Sequence, residues 1–362
     1  MTVVFAGGGT GGHLYPAIAI ADALRSRARV AFVGTADRLE ATIVPKAGYD
    51  LHTIASHPLP RVLSFALFQT IASNVKGTFE SLRLLAAQRP DLVIATGGYV
   101  AFPVALAARI RKMLRLSDAC VVLLEPNAAP GLTNRLLTPI VDEIWGAAEP
   151  ANGVRGKYRA TGVPIRSSLR SLPRRDEAIA HLGLDPSRRT LVVMGGSQGA
   201  RSINDASAEL IERGGLPDGW QLFALTGESD YARLRTRLPN ARPYLDDMAD
   251  AYAVADLVLA RAGASTLGEL AALGKPSILV PYPFAAQAHQ AANAARFEAA
   301  GAAVVLSDGE LRAGRLPALL AQTLDERRLS ALAAGAASLR GSDPLLAILA
   351  RVDALVARRT QS

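Results

Sequence analysis

Short apolar runs alternate with longer helical patterns along the first half of the chain. Residues 2–6, 29–34, 92–96 and 120–124 are apolar stretches of the length that buried parallel strands need. Between them, "YPAIAIADALRSR" and "FPVALAARIRKML" carry helical patterns. The scheme then restarts. "TLVVMGGSQGARSINDASAELIERGG" reads strand, glycine loop, helix, and "WQLFALTG", "ADLVLARAGASTLGELAALG", "PSILVPYP" and "GAAVVL" continue it. Setting "AGGGTGGH" over "MGGSQGAR" puts Gly7 on Gly195 and Gly11 on Gly199 with one common shift. The pattern predicts an α/β protein of two Rossmann-like units with parallel sheets, residues 1–163 and 164–340. Gly162 and Pro164 interrupt it at the joint, in "RATGVPIRSSL". A last helix within 341–362, "DPLLAILARVDALVARR", has an apolar face that needs a partner, expected on the back of the first unit.

Composition narrows the class. The 362 residues are 50% hydrophobic and 20% charged, as in a globular protein with ample core. A single cysteine, Cys120, leaves no disulfide framework and no cysteine metal site, which fits a reducing cytoplasm. The start enters a strand directly, so no secretory signal is expected. No run approaches the roughly 18 apolar residues of a spanning helix, so the chain is expected to be soluble or peripheral to a membrane. Most of the net charge of +8 falls in residues 1–163, so an anionic surface is expected to meet that half. Aromatic residues are only 5%, few for stacking on bases, and no nucleic-acid partner is expected.

The first glycine loop admits two chemistries. Gly7, Gly9 and Gly12 satisfy G-x-G-x-x-G, which allows an NAD-dependent oxidoreductase. The acidic residue such a site wants after the second strand, Asp37, comes late, and one dinucleotide does not require a second glycine loop on a second unit. Two loops, each turning backbone N–H groups towards anionic oxygens at a helix start, suit a pair of phosphate-bearing substrates. A nucleotide sugar and a phosphorylated acceptor on either side of a cleft meet that description. Ser197 and Gln198 add donors to the second loop. In "LARAGASTLGELAALG", Gly263, Ala264 and Ser265 allow close approach and Thr266 offers a hydroxyl. Glu269 lies on the helix they open, where a carboxylate accepts from both hydroxyls of a ribose. Gln290, with His289 and Asn293, begins a helix after a proline-rich turn, and its amide can read sugar hydroxyls.

Together these stretches resemble the MurG family of peptidoglycan glycosyltransferases. The motifs that carry the resemblance are "GGGTGGH", "ATGGYVAFP", "PGLTNR", "GVPIR", "MGGSQGAR", "YLDDMADAYAVADLVLARAGASTLGELAALGKPSILVPYP" and "HQAANA", in order along essentially the whole chain. The resemblance implies a GT-B fold, two Rossmann-like domains facing across a cleft, with UDP-N-acetylglucosamine in the second. It implies Arg166 and Ser197 at the UDP phosphates and the backbone of Leu245 at uracil. It places the turn Ala264, Ser265, Thr266, Leu267 and Gly268 at the diphosphate, Glu269 at the ribose and Gln290 at the sugar hydroxyls. Thr10, Gly11 and Gly12 are implied beside the donor sugar and the diphosphate of the acceptor, lipid I. Two departures stand out. Where the family reads His-Glu-Gln-Asn, this chain has Leu124, Glu125, Pro126 and Asn127, keeping only the acid and the asparagine for the acceptor side. Ala288 stands where the family tends to place an acid.

The reaction implied is inverting transfer to the muramyl 4-hydroxyl of lipid I, giving lipid II for the cell wall. It needs a base for the hydroxyl proton and positive charge for departing UDP. His13 follows the first loop directly, and imidazole, with an unperturbed pKa of about 6.5, accepts a proton at cytoplasmic pH. It is the expected general base, with Glu125 the second candidate. No Asp-x-Asp metal signature is present; Asp246 and Asp247 read as helix-capping residues, and neither metal nor cofactor is expected. Residues 60–85 mix Leu63, Phe65, Leu67, Phe68 and Phe79 with Arg61, Lys76 and Arg83, and "RIRKMLR" at 109–115 is basic. These stretches are expected to meet the anionic cytoplasmic face of the cell membrane peripherally. The remaining alternatives are another GT-B UDP-sugar transferase with a lipid acceptor, the oxidoreductase, or a non-catalytic basic module.

Overall fold

The computed structural model describes the chain except for residues 59–64, 128–129, 148–155, 197, 285–288 and 361–362. It divides into two units, Met1–Pro164 with Ser342–Ser362, and Ile165–Gly341.

The first unit alternates strand and helix: β1 (Thr2–Gly7), α1 (Gly11–Leu24), β2 (Arg29–Gly34), α2 (Leu39–Lys46), β3 (Asp50–Thr53) and α3 (Phe65–Gln88). There follow β4 (Leu92–Gly97), α4 (Ala101–Met113), β5 (Cys120–Glu125), α5 (Leu132–Leu137), β6 (Glu143–Gly146) and β7 (Tyr158–Ala160). The seven strands form one sheet in the order β3-β2-β1-β4-β5-β6-β7, and all pairings are parallel. Side chains alternate across it. Val3, Phe5, Leu92, Ile94, Val122 and Leu124 join Leu14 and Ile20 of α1 on one face. Val4, Ala6, Val93, Ala95, Val121 and Leu123 join Val100, Val104 and Ala108 on the other. Both faces are covered, which is why these strands read as unbroken apolar runs.

The second unit repeats the plan after a 3-10 turn at Ser167–Arg170. Its elements are α6 (Arg175–Leu182), β8 (Arg189–Met194), α7 (Arg201–Glu212), β9 (Trp220–Leu225), α8 (Glu228–Leu234), β10 (Ala241–Arg242), α9 (Ala249–Val254) and β11 (Ala255–Ala260). Then come α10 (Ala264–Leu273), β12 (Ser277–Leu279), α11 (His289–Ala299), β13 (Ala303–Val305), α12 (Asp308–Arg312), α13 (Leu316–Thr323) and α14 (Glu326–Ser338). The sheet is parallel in the order β10-β9-β8-β11-β12-β13. Local chemistry sets the helix ends. Asp325 accepts from the N–H groups of Arg327 and Arg328 to start α14, and left-handed Gly274 closes α10.

The chain then returns to the first unit as α15 (Pro344–Thr360). Ile348, Val352 and Leu355 enter the core face shared with α1. Arg351 donates to Glu143, a carboxylate only 3% exposed that also accepts from Trp145 Nε1 at 2.9 Å. Asp353 pairs with Arg27 at 2.9 Å.

In each unit the strand order reverses between two central strands, β1 and β4 in the first, β8 and β11 in the second. Open parallel sheets bind ligands outside the carboxyl ends of such strands. Both glycine loops and the Gly263 turn leave the sheets there.

Candidate functional site

In the first unit, the loop after β1 and the one after β4 are packed back to back. A Cβ on Gly7 would collide with Thr96 Oγ1, and one on Gly98 would lie 2.5 Å from the Gly8 carbonyl oxygen. His13 stands in the first turn of α1, half-buried. Its ring lies against Gly97, where an added Cβ would come within 2.7 Å of Cε1 and Nδ1 and 3.4 Å of Asn134 Nδ2. Thr10, exposed, precedes α1, and its carbonyl accepts from the N–H groups of His13 and Leu14. Gly11 is buried and Gly12 half-buried in the same turn.

Glu125 ends β5, 3% exposed. Its Oε1 accepts from the Asn127 N–H at 2.9 Å and from Asn127 Nδ2 at 3.1 Å, and its Oε2 from Asn134 Nδ2 at 2.6 Å. Burial pushes its carboxyl above the ordinary range, and the hydrogen bonds from Asn127, Asn134 and the Gly131 N–H offset only part of that. His13, Gly97, Asn134, Glu125 and Asn127 thus form one cluster at the ends of β1, β4 and β5.

Sequence reasoning missed Glu40, which is fully buried. Its carboxylate accepts from the Gly9 N–H at 2.9 Å, the Thr35 N–H at 3.0 Å and Thr35 Oγ1 at 2.8 Å. A signal existed. Glu40 and Val44 are the buried residues of α2, four apart, so the acid sits on the helix's apolar face.

In the second unit, the loop after β8 is fixed by close approach. A Cβ on Gly199, φ +74°, would collide with the Thr226 carbonyl oxygen, so glycine is required. Ser197 and Ala288 lie outside the described residues. The turn after β11 opens α10: Ala264, Ser265, Thr266 and Gly268 are half-buried, and Leu267 points into the core. Ser265 Oγ is buried with no hydrogen-bond partner among the described residues. Glu269 is 4% exposed; its Oε2 accepts from Tyr252 Oη at 2.6 Å and its Oε1 lies 3.2 Å from Arg166 Nε. Burial raises its carboxyl, opposed by Arg166 and the Tyr252 hydrogen bond. Tyr252, fully buried, was also missed. Its ring supports the core beneath α10 while its hydroxyl holds the acid. Leu245 is half-buried against the same core. Gln290, in the first turn of α11, accepts from the Tyr282 N–H through Oε1 at 2.9 Å. Asn293, 4% exposed, donates to the Ala262 carbonyl at 3.2 Å and ties α11 to the Gly263 turn. The structure therefore brings together Arg166 and Glu269 beside the Ala264–Gly268 turn. Met248, rather than Asp246 or Asp247, holds the N-cap position of α9, and Asp247 accepts from the Ala249 N–H at 2.9 Å from one residue earlier.

An exposed apolar face lies elsewhere on the first unit. Phe68, Ile71, Val75 and Phe79 are exposed along one side of α3. Met113, Leu114 and Leu116 are exposed at the end of α4, which packs on α3. Of the neighbouring cations, Lys112 and Arg109 are spoken for by Asp142, at 3.1 and 4.0 Å, and Lys76, though exposed, lies 3.8 Å from Glu80, whereas Arg83 and Arg115 are exposed. Arg61 and Leu63 lie outside the described residues. No helix among the described residues is long and apolar enough to cross a membrane.

Comparison with known proteins agrees with this architecture. Residues 3–145 match the glycosyltransferase family 28 N-terminal domain and residues 190–342 its C-terminal domain. A UDP-N-acetylglucosamine--N-acetylmuramyl-(pentapeptide) pyrophosphoryl-undecaprenol N-acetylglucosamine transferase of Halothermothrix orenii is 40% identical over 352 residues, 92% of this chain and 93% of the relative. The Moorella thermoacetica protein of the same name is 41% identical over 369 residues, 96% of this chain and 97% of the relative. Among solved structures, MurG of Acinetobacter baumannii superposes with a TM-score of 0.73 at 24% identity, covering 98% of both chains, and shares the fold. With its paired parallel-sheet units and full-length identity to such enzymes, the chain belongs to glycosyltransferase family 28, in the MurG family of GT-B N-acetylglucosamine transferases.

Proposed function

We propose that this enzyme transfers N-acetylglucosamine from UDP-N-acetylglucosamine to the muramyl 4-hydroxyl of lipid I, forming lipid II with inversion at the anomeric carbon. The observation that carries the reading in this chain's own residues is Glu269, an acid buried beside a small-residue turn and held by Arg166 and Tyr252. A carboxylate has about four lone-pair sites, so two partners leave room for the two hydroxyls of a ribose. The Leu245 backbone meets uracil and Gln290 the sugar hydroxyls. The diphosphate takes the amides of the Ala264–Gly268 turn, the Ser265 hydroxyl and Arg166, with Ser197 contributing from the second glycine loop. The positive ends of α7 and α10 add to this charge.

The first unit supplies the acceptor side, with Thr10, Gly11, Gly12 and Asn127 as contacts and His13 as base. In the displacement, the muramyl oxygen forms its bond to the anomeric carbon as the carbon–oxygen bond to the diphosphate breaks. The hydroxyl proton passes to the His13 imidazole and UDP leaves with the electron pair. Glu125 is less suited to this task, because its oxygens are committed to Asn127, Asn134 and Gly131. The exposed face of α3 and the end of α4, with Lys76, Arg83 and Arg115, suit an anionic bilayer that holds the lipid acceptor. In this proposal the enzyme works peripherally at the cytoplasmic face of the membrane.

Calorimetry with UDP-N-acetylglucosamine, UDP-glucose and NADH, on the native chain and Glu269→Ala, tests the donor. Binding of the first ligand, weakened by the substitution, is expected. NADH binding without any uridine ligand would overturn the reading.

A further inference from the structure

Glu40 is a buried acid to which the transfer mechanism gives no task. Its three hydrogen bonds come from the glycine loop after β1 and from the end of β2, so it links two neighbouring strand ends. Two glycines make room for it. A Cβ on Gly8 would collide with its carboxylate, and one on Gly34 would lie 2.5 Å from its Cγ. Gly9, at φ +81°, turns its N–H onto Oε2. In a nucleotide-binding loop such amides receive a phosphate oxygen. In this loop the anion is the protein's own.

We propose, resting on the transfer reaction above, that Glu40 is a positioning residue: an internal anion that fixes the Gly8–Gly9 backbone and, through it, the first turn of α1. That turn carries Thr10, Gly11, Gly12 and His13, so Glu40 sets where acceptor and base meet without touching either. The same carboxylate takes the Gly9 amide and repels a second anion there. A substrate phosphate is thereby confined to the amides that follow, Thr10 to Gly12. Gly8 and Gly34 are small for the sake of an acid, not a ligand.

The test is steady-state kinetics on a lipid I analogue, with donor affinity by calorimetry and the melting temperature, for Glu40→Gln and Thr35→Val. Glu40→Gln keeps the shape but cannot accept from the loop and from Thr35 together. It is expected to lower kcat/KM for the acceptor about tenfold or more, the scale of a mispositioned reacting group. Thr35→Val removes one of the three hydrogen bonds and is expected to lower it about threefold. Donor affinity, a property of the second unit, is expected to stay within about twofold in both, as for independent sites. Unchanged acceptor kinetics in both variants would overturn the proposal, as would donor affinity falling in step with turnover. If Glu40→Gln does not fold, Thr35→Val decides by the same two readouts. A native enzyme that binds no uridine ligand and turns over no lipid I analogue removes the transfer reading itself, a separate outcome from either variant's.

Discussion

Asn134 Nδ2 donates to Glu125 Oε2 at 2.6 Å, across the turn that carries the altered Leu124-Glu125-Pro126-Asn127 segment. The acid is thereby a hub for the loop between β5 and α5. Asn134→Ala is expected to destabilise the protein by about 1–3 kcal/mol, since it strips a donor from a buried carboxylate. Denaturant unfolding reads this directly, and an unchanged midpoint would contradict it.

The same hub predicts a pH trend. Glu125 titrates above its ordinary 4.5 in the folded state because burial disfavours its charge. Folding therefore favours the neutral form. That contribution is full below about 4.5 and is lost as pH rises through the raised folded value. Glu125→Gln, which stays neutral, is expected to be less stable than the native chain at low pH, with the gap narrowing as pH rises towards 7. Unfolding curves across this window check it; a gap that widens would refute the sign.

Replacing His13 by Ala separates chemistry from binding. Turnover is expected to fall by about 10²–10⁴, the usual range for a lost general base, with donor affinity unchanged. Equal losses in turnover and donor binding would take the proton transfer away from this residue.

Tyr252→Phe removes one hydrogen bond from Glu269 and little volume. Freed of a fixed partner, the acid is expected to bind ribose about three- to tenfold more weakly, equivalent to about 1 kcal/mol. UDP titration measures this, and an unaltered Kd would show that Arg166 alone positions the carboxylate.

Vesicle binding distinguishes the cations of the first unit. Arg115→Gln is expected to weaken association with anionic bilayers by about 1 kcal/mol. Lys112→Gln is expected to matter less, because Asp142 already neutralises that ammonium at 3.1 Å. Replacing exposed Phe68 and Phe79 by Ser is expected to weaken binding further, and to do so independently of salt.

Much of the fold was legible because a parallel sheet covered on both faces leaves continuous apolar runs, as at Val3–Ala6 and Leu191–Met194. The glycines after β1 and β8 were legible for a related reason, since Gly7 and Gly199 stand where a side chain would meet Thr96 or Thr226. Short edge strands such as Tyr158–Ala160 and Ala241–Arg242 are too brief to show a period. Side-chain partnerships across the fold were not legible either. Nothing local in the sequence joins Gly9 to Glu40, or Tyr252 to Glu269, because loops and helices far apart in the chain bring them together. The sequence suggests a loop that turns its amides towards phosphate, whereas the Gly9 N–H meets the Glu40 carboxylate and Gly8 leaves room for that acid.

The return of α15 to the first unit bears on how the chain folds. Ile348, Val352 and Leu355 fill a core whose other members precede the second unit in the chain. The second unit is therefore an insertion within a host that stays incomplete until the insertion has been synthesised. During translation the second unit is complete before Ile348, Val352 and Leu355 emerge to finish the core of the first. The first unit expressed as residues 1–164 would expose that apolar face permanently. The same residues joined directly to 342–362 would restore it.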